Sequence, residues 1–135
     1  MSDVLRLAHL AVIVSDLDTE TAVPVSALGL AARRRTAVPA EDVAVAFLPV
    51  GRGDVELIQP LSEDGPLARF LRDRGEGIHH VAFRVPDLRA AIKRAETAGL
   101  RMAGPAPREG ADGTQVAFIH PSSLNGLLVE LVGSG

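Results

Sequence analysis

The chain contains no cysteine, no tryptophan and no tyrosine, and only four phenylalanines among its 135 residues. Without cysteine there is no disulfide, no thiolate metal ligand and no sulfur nucleophile, so any metal must be held by nitrogen and oxygen. So few rings leave no stacking platform for bases or flat ligands. Basic residues are scattered apart from Arg33-Arg34-Arg35, and the formal net charge is -3, so no positive stripe offers itself to a phosphate backbone. Nucleic acid is not an expected partner. No apolar run approaches the roughly 18 residues that span a bilayer, and Met1-Ser2-Asp3-Val4-Leu5-Arg6 lacks the basic region and apolar stretch of a signal peptide. The expectation is a cytoplasmic protein with no membrane partner. A hydrophobic content of 47% over this length suffices for one compact domain with a real core and no covalent staple.

What is present is a repeat. His9-Leu10-Ala11-Val12-Ile13-Val14 followed by Asp16-Leu17 returns as His80-Val81-Ala82-Phe83-Arg84-Val85 followed by Asp87-Leu88. Further on, Val45-Ala46-Phe47-Leu48 leading to Val55-Glu56-Leu57-Ile58 returns as Val116-Ala117-Phe118-Ile119 leading to Val129-Glu130-Leu131-Val132. Each half thus opens on a histidine at the start of an apolar strand and closes on a glutamate inside another.

The elements fall out in matching order. A strand over about Leu7–Val14 precedes a helix that Asp16 or Asp18 can cap and Gly29 can close. Pro24 interrupts that helix, since an interior proline removes a backbone hydrogen bond and costs about 3 kcal/mol. The second copy has no such flaw: after Pro86-Asp87, residues Leu88, Ala91, Ile92 and Ala95 share one helical face up to Gly99. Strands are expected at Val43–Val50 and Asp54–Gln59 around Gly51-Arg52-Gly53, and again at Gln115–Ile119 and Leu127–Val132; a short helix, Pro66–Arg72, joins the halves. The pattern is strand, helix, then two or three strands, given twice, with one module over about 5–61 and the other over about 76–133.

Side chains alternate along a strand, so Leu10, Val12 and Val14 share one face and His9, Ala11 and Ile13 the other; in the second copy Val81, Phe83 and Val85 oppose His80, Ala82 and Arg84. The apolar face is expected against the helices, and the histidine face as the wall of a cavity. This phase selects His80 over His79, which points the other way and has Ala8 as its counterpart; His79 reads as a hydrogen-bonded packing residue. A lone histidine or a lone glutamate would be ordinary. Two carboxylates in strongly apolar runs, each matched by a histidine, are costly to bury unless something pairs with them. His9, Glu56, His80 and Glu130 therefore read as the ligands of one divalent ion, and without thiolate that ion is cobalt, manganese, nickel or zinc.

The chain resembles the vicinal oxygen chelate superfamily, and within it most closely the methylmalonyl-CoA epimerases, over nearly its whole length. The resemblance rests on Val45 to Gly51, on Val55-Glu56-Leu57-Ile58-Gln59-Pro60-Leu61, on Gly75 to Val85 with its His79-His80 pair, and on Val116-Ala117-Phe118-Ile119-His120-Pro121. It implies an α+β fold of two tandem βαβββ modules forming a curved sheet around a metal cleft, a homodimer, and an acyl-CoA substrate. The family's metal ligands fall on the four residues already picked by the repeat. Its chemistry is removal of the acidified α-proton beside a thioester and its return to the opposite face, which takes two acid/base groups. The resemblance makes Glu130 one of them. The other is a glutamate in a Pro-Glu-Gln-Gly-Val-like stretch, and here the chain reads Pro39-Ala40-Glu41-Asp42-Val43, with Ala40 at that position. Glu41 is the candidate second base if its loop is irregular; in a regular strand a one-residue shift would turn it to the wrong face.

Three further features depart from or extend the pattern. Thr19 to Pro24 stands where the family has a long, aromatic-containing amphipathic helix. His120 follows the family pattern but lies outside the repeat, as a loop-shaping or substrate-touching residue. The triple arginine could meet acyl-CoA phosphates but reads better as a charged strand edge. Among alternatives, a glyoxalase I would carry an Asp-Pro-Asp-Gly type turn where His120-Pro121-Ser122-Ser123 stands, an extradiol dioxygenase would need only two histidines and one carboxylate, and metal-free binding members lack the ligands kept here. A related isomerase or lyase acting on another acid substrate is the runner-up, because of Ala40.

Overall fold

The computed structural model describes residues 5–19, 27–30, 34–39, 42–110 and 113–133. Pro24, Arg33, Ala40 and Glu41 lie outside them. The described chain divides into two compact units, residues 9–79 and residues 80–133 with 5–8. Eight strands and two helices recur in the order the repeat demands: β1 (Arg6–Ile13), β2 (Arg34–Val38), β3 (Val43–Val50), β4 (Gly53–Pro60), α1 (Pro66–Arg74), β5 (Gly77–Arg84), α2 (Leu88–Thr97), β6 (Arg108–Glu109), β7 (Gln115–Ile119) and β8 (Leu128–Gly133). Residues 17–19 and 27–28 are also helical, so each module is βαβββ.

In the first unit the strands lie in the order β2-β3-β4-β1, with β4 and β1 parallel and the rest antiparallel. The second unit repeats this as β6-β7-β8-β5, again with only β8 and β5 parallel. Arg34 and Arg35 begin β2, where they stand in register with Phe47 and Ala46. The two-residue β6 was not anticipated. Its neighbourhood is rich in Pro and Gly, and two residues are too few to show a period.

Local chemistry explains the helices. Asp87 caps α2 by accepting from the Ala90 N–H at 3.0 Å, and Leu88, Ala91, Ile92 and Ala95 are buried as the spacing requires. The helix stops where Leu100 N–H donates to the Ala95 carbonyl and Gly99 N–H to that of Glu96, a closure that needs the left-handed backbone Gly99 supplies at φ 90°. In the first module Asp16 is the capping residue, its Oδ1 accepting from the Asp18 N–H at 3.0 Å, and Gln59 Oε1 accepts from the Leu17 N–H at 2.9 Å. Pro66 starts α1, whose bound extends two residues past expectation to Arg74.

Each unit has its own core. In the second, α2 covers Val85, Ala117, Ile119, Val129 and Leu131, with Phe83 packed alongside, so the face opposite His80 is the helix-covered one as expected. In the first, Val14, Leu17, Ala46, Leu48 and Leu57 make the matching cluster. The histidine face of β1 departs from expectation. Ala11 and Ile13 are fully buried with Val43, Val45 and Ile58 under Leu67, Phe70 and Leu71 of α1, so beyond His9 this face is core rather than cavity wall. Ile13 is the physical reason: its second-module counterpart is Arg84, an exposed charge, whereas an isoleucine there demands a cover. No described helix is long and apolar enough to cross a membrane.

Candidate metal and acid/base site

The parallel pairing of first and last strands in each module places a histidine and a glutamate together. On β1 and β4, His9 is in register with Asp54 and Ala11 with Glu56; residues two apart share a face, so His9 and Glu56 are diagonal neighbours across one strand boundary. On β5 and β8, His80 is in register with Leu128 and Ala82 with Glu130, giving the same diagonal. Ala11 and Ala82, both at 0% exposure, are the small residues beside each glutamate. A larger side chain at either place would occupy the space through which imidazole and carboxylate meet.

They do meet. His9 Nδ1 lies 3.2 Å from Glu56 Oε2, and His80 Nε2 lies 3.2 Å from Glu130 Oε1. Side-chain exposures of 18% and 17% in the first pair and 12% in both members of the second leave each site sheltered yet reachable. Sheltered carboxylates are expensive without a positive partner, which explains why each is set against an imidazole or would accept a cation. Two donors sharing an ion at about 2.1 Å stand roughly 3.0 Å apart at octahedral angles and about 3.4 Å apart at tetrahedral ones, a range that brackets both pairs. His9, His80 and Glu130 each offer a nitrogen or carboxylate oxygen suited to a divalent ion. Nitrogen and oxygen donors, no thiolate and partial shelter fit such a group.

A ring backs each glutamate. Phe47 is in register with Glu56 on β3, and Phe118 with Glu130 on β7. Phe118 stands edge-on to His80, ring centroids 6.1 Å apart and planes at 85°, which limits the imidazole's rotation. Sequence reasoning overlooked both rings as site residues, although the repeat contained the signal: Phe47 and Phe118 occupy equivalent places in its second motif.

The remaining histidines behave as structural residues. His79 packs edge-on against Phe70 of α1 at 5.1 Å. His120 accepts at Nδ1 from the Ser122 N–H at 3.0 Å, with the Ser122 hydroxyl 2.8 Å away, and so caps the 3-10 turn Pro121–Ser123. Its backbone N–H donates to the Arg101 carbonyl. At the other end of the catalytic reading, Asp42 adopts φ 55° in the turn that its N–H closes onto the Pro39 carbonyl at 3.2 Å. Aspartate tolerates that left-handed conformation where most residues do not. Ala40 and Glu41 are outside the described residues.

The profile of the Glyoxalase/Bleomycin resistance protein/Dioxygenase superfamily matches residues 8–118. The chain is 39% identical over 128 residues to an ethylmalonyl-CoA/methylmalonyl-CoA epimerase of Cereibacter sphaeroides, covering 93% of this chain and 96% of that one. It superposes on the crystal structure of methylmalonyl-CoA epimerase from Mycobacterium tuberculosis with a TM-score of 0.83 and 32% identity, covering 96% of this chain and 88% of that one. A Streptomyces coelicolor methylmalonyl-CoA epimerase variant in complex with 2-nitronate-propionyl-CoA is similar at a TM-score of 0.83 and 29% identity, over 96% and 94% of the two chains.

Proposed function

The chain belongs to the glyoxalase/bleomycin resistance protein/dioxygenase superfamily, and within it we propose the role of a metal-dependent epimerase interconverting (2R)- and (2S)-methylmalonyl-CoA. The observation that carries this reading is the His–Glu diagonal in equivalent register in both halves, on a chain similar over almost its full length to methylmalonyl-CoA epimerases. We assign His9, Glu56, His80 and Glu130 as the ligands of one divalent ion, cobalt, manganese, nickel or zinc. When bound, the ion would supply Lewis-acid stabilisation for negative charge developing on the two carbonyl-type oxygens of the substrate.

The chain's own residues move the proton. Glu130 serves as one acid/base, taking the α-proton from one face of the substrate so that the C–H electron pair passes into an enolate. Glu41 serves as the other, returning a proton to the opposite face; the reverse reaction exchanges their roles. Ala40 leaves Glu41 the nearest carboxylate to the position where the family has its glutamate. His80, held by Glu130 and Phe118, keeps that carboxylate in place. Shelter around the pair limits competition by water, which strengthens electrostatic interactions inside the site. We further assign the protein to the cytoplasm, as a homodimer. Ala40 also favours a second reading, a related isomerase or lyase acting on a different acid substrate, and ethylmalonyl-CoA is the first alternative to try, given the name of the C. sphaeroides relative.

The test is deuterium incorporation at the α-carbon of methylmalonyl-CoA in deuterated buffer with cobalt-loaded protein, starting separately from each epimer. Rapid exchange with inversion is the expected result. Exchange without inversion would mean that only one base works, and no exchange from either epimer would overturn the substrate assignment.

A further inference from the structure

The two halves part company just after their first strands. Val14-Ser15-Asp16-Leu17 in the first answers Val85-Pro86-Asp87-Leu88 in the second, so a serine stands where its counterpart is a proline. Serine brings a backbone N–H and a hydroxyl to that corner, and proline brings neither donor. Both donors of Ser15 are used. Its N–H donates to Glu76 Oε2 at 2.9 Å and its hydroxyl donates to the same oxygen at 3.0 Å, across 61 residues of sequence.

Glu76 lies between Gly75 and Gly77, in the joint between α1 and β5. Gly75 ends α1 with φ at 77°, its N–H donating to the Leu71 carbonyl at 2.9 Å. A Cβ at either glycine would meet nothing within 4 Å, so packing does not restrain the joint there, and glycine's wide choice of backbone angles would leave it loose. The Glu76 carboxylate pins it. Ser15 and Glu76 are both exposed, so their bonds do not rescue a buried polar group; what they do is order the joint. Both residues belong to the first unit, and the pin sits four residues before His80, where the chain passes into the second.

We propose that Glu76 is a positioning residue for the metal site: its latch onto Ser15 orders the Gly75–Gly77 joint and so pre-sets the strand that presents His80. This rests on the metal-ligand assignment above. With the joint ordered in advance, ion binding does not have to supply that loss of chain entropy, and the affinity for the ion is correspondingly higher.

The test is the cobalt dissociation constant and the visible absorption of bound cobalt(II), measured for wild type, Glu76→Ala, Glu76→Gln, Ser15→Ala and the Ser15→Ala/Glu76→Ala pair. Glu76→Ala is expected to weaken cobalt on the order of threefold to tenfold, a ceiling set by the worth of exposed hydrogen bonds. Glu76→Gln keeps an acceptor oxygen and should recover part of the loss. Ser15→Ala keeps the N–H and should lose less than Glu76→Ala, while the double variant should lose no more than Glu76→Ala alone. The cobalt band should hold its position throughout, because the ligands themselves are unchanged. A shifted band in Glu76→Ala would make Glu76 a ligand and overturn the positioning role. Wild-type cobalt affinity in Glu76→Ala, even with a lowered melting temperature, would make the latch merely structural and overturn the proposal. Equal losses in Glu76→Gln and Glu76→Ala would trace the effect to charge rather than to the latch, and overturn it too. A wild type that binds no cobalt would instead sink the metal assignment itself, and this proposal with it.

Discussion

At the scale of single residues, the site is built from small differences in what lies beside a histidine. His80 meets Glu130 at 3.2 Å because a fully buried alanine, Ala82, stands in register with the glutamate, and because Phe118 holds the ring edge-on. Replacing His80 with Ala should abolish cobalt binding, followed by calorimetry, and epimerisation together; retained activity in a variant that binds no metal would contradict the metal mechanism. Glu41 carries a sharper expectation. Glu41→Gln should slow α-deuterium exchange from one epimer at least tenfold more than from the other, since each base serves one face. Equal rates from both epimers would remove Glu41 from the reaction, and Ala40→Glu would then be the variant expected to speed inversion.

At the scale of elements, the repeat fixes register and register brings the pairs together. A one-residue slip of β8 against β5 would turn Glu130 to the helix-covered face among Val129 and Leu131, so the capped helix that packs on that face also protects the site. Asp87→Ala should cost about 1 kcal/mol of stability by removing the cap from α2, read as a lowered denaturation midpoint with the same slope. The module-specific element is α1, whose Leu67, Phe70 and Leu71 cover Ala11 and Ile13. Phe70→Ala should cost about 2–4 kcal/mol in the same measurement, and an effect under 0.5 kcal/mol would mean that α1 contributes little to the first core. Alternation in the strand made the histidine phase legible. That one histidine face would be covered and the other left with an exposed arginine was not legible, because the cover comes from a helix lying between the repeats rather than within either.

For the molecule as a whole, the proposed divalent ion would act as a stabilising ligand of the native state. Cobalt at about a hundredfold over its dissociation constant should add roughly 2.7 kcal/mol of stability, seen as a raised melting temperature that a chelator reverses and that His80→Ala abolishes. Equal shifts in wild type and His80→Ala would place the stabilising ion elsewhere. The sheltered acidic pairs, with their near-duplicate environments, are where such a gain would originate.

Much of this protein was determined along the chain. Strand and helix periods, the caps at Asp16 and Asp87, the stop at Gly99 and the twofold motif all follow from local spacing, because side-chain alternation and helix capping act over a few residues. Tertiary structure decided what depends on contacts between segments distant in sequence: the two-residue strand β6, the diagonal of each His–Glu pair, the rings behind the glutamates, and Arg108 over the Phe118 ring. No local period marks a two-residue strand, and an arginine in a Pro- and Gly-rich stretch is indistinguishable from a solvated charge until the sheet places a ring beneath it.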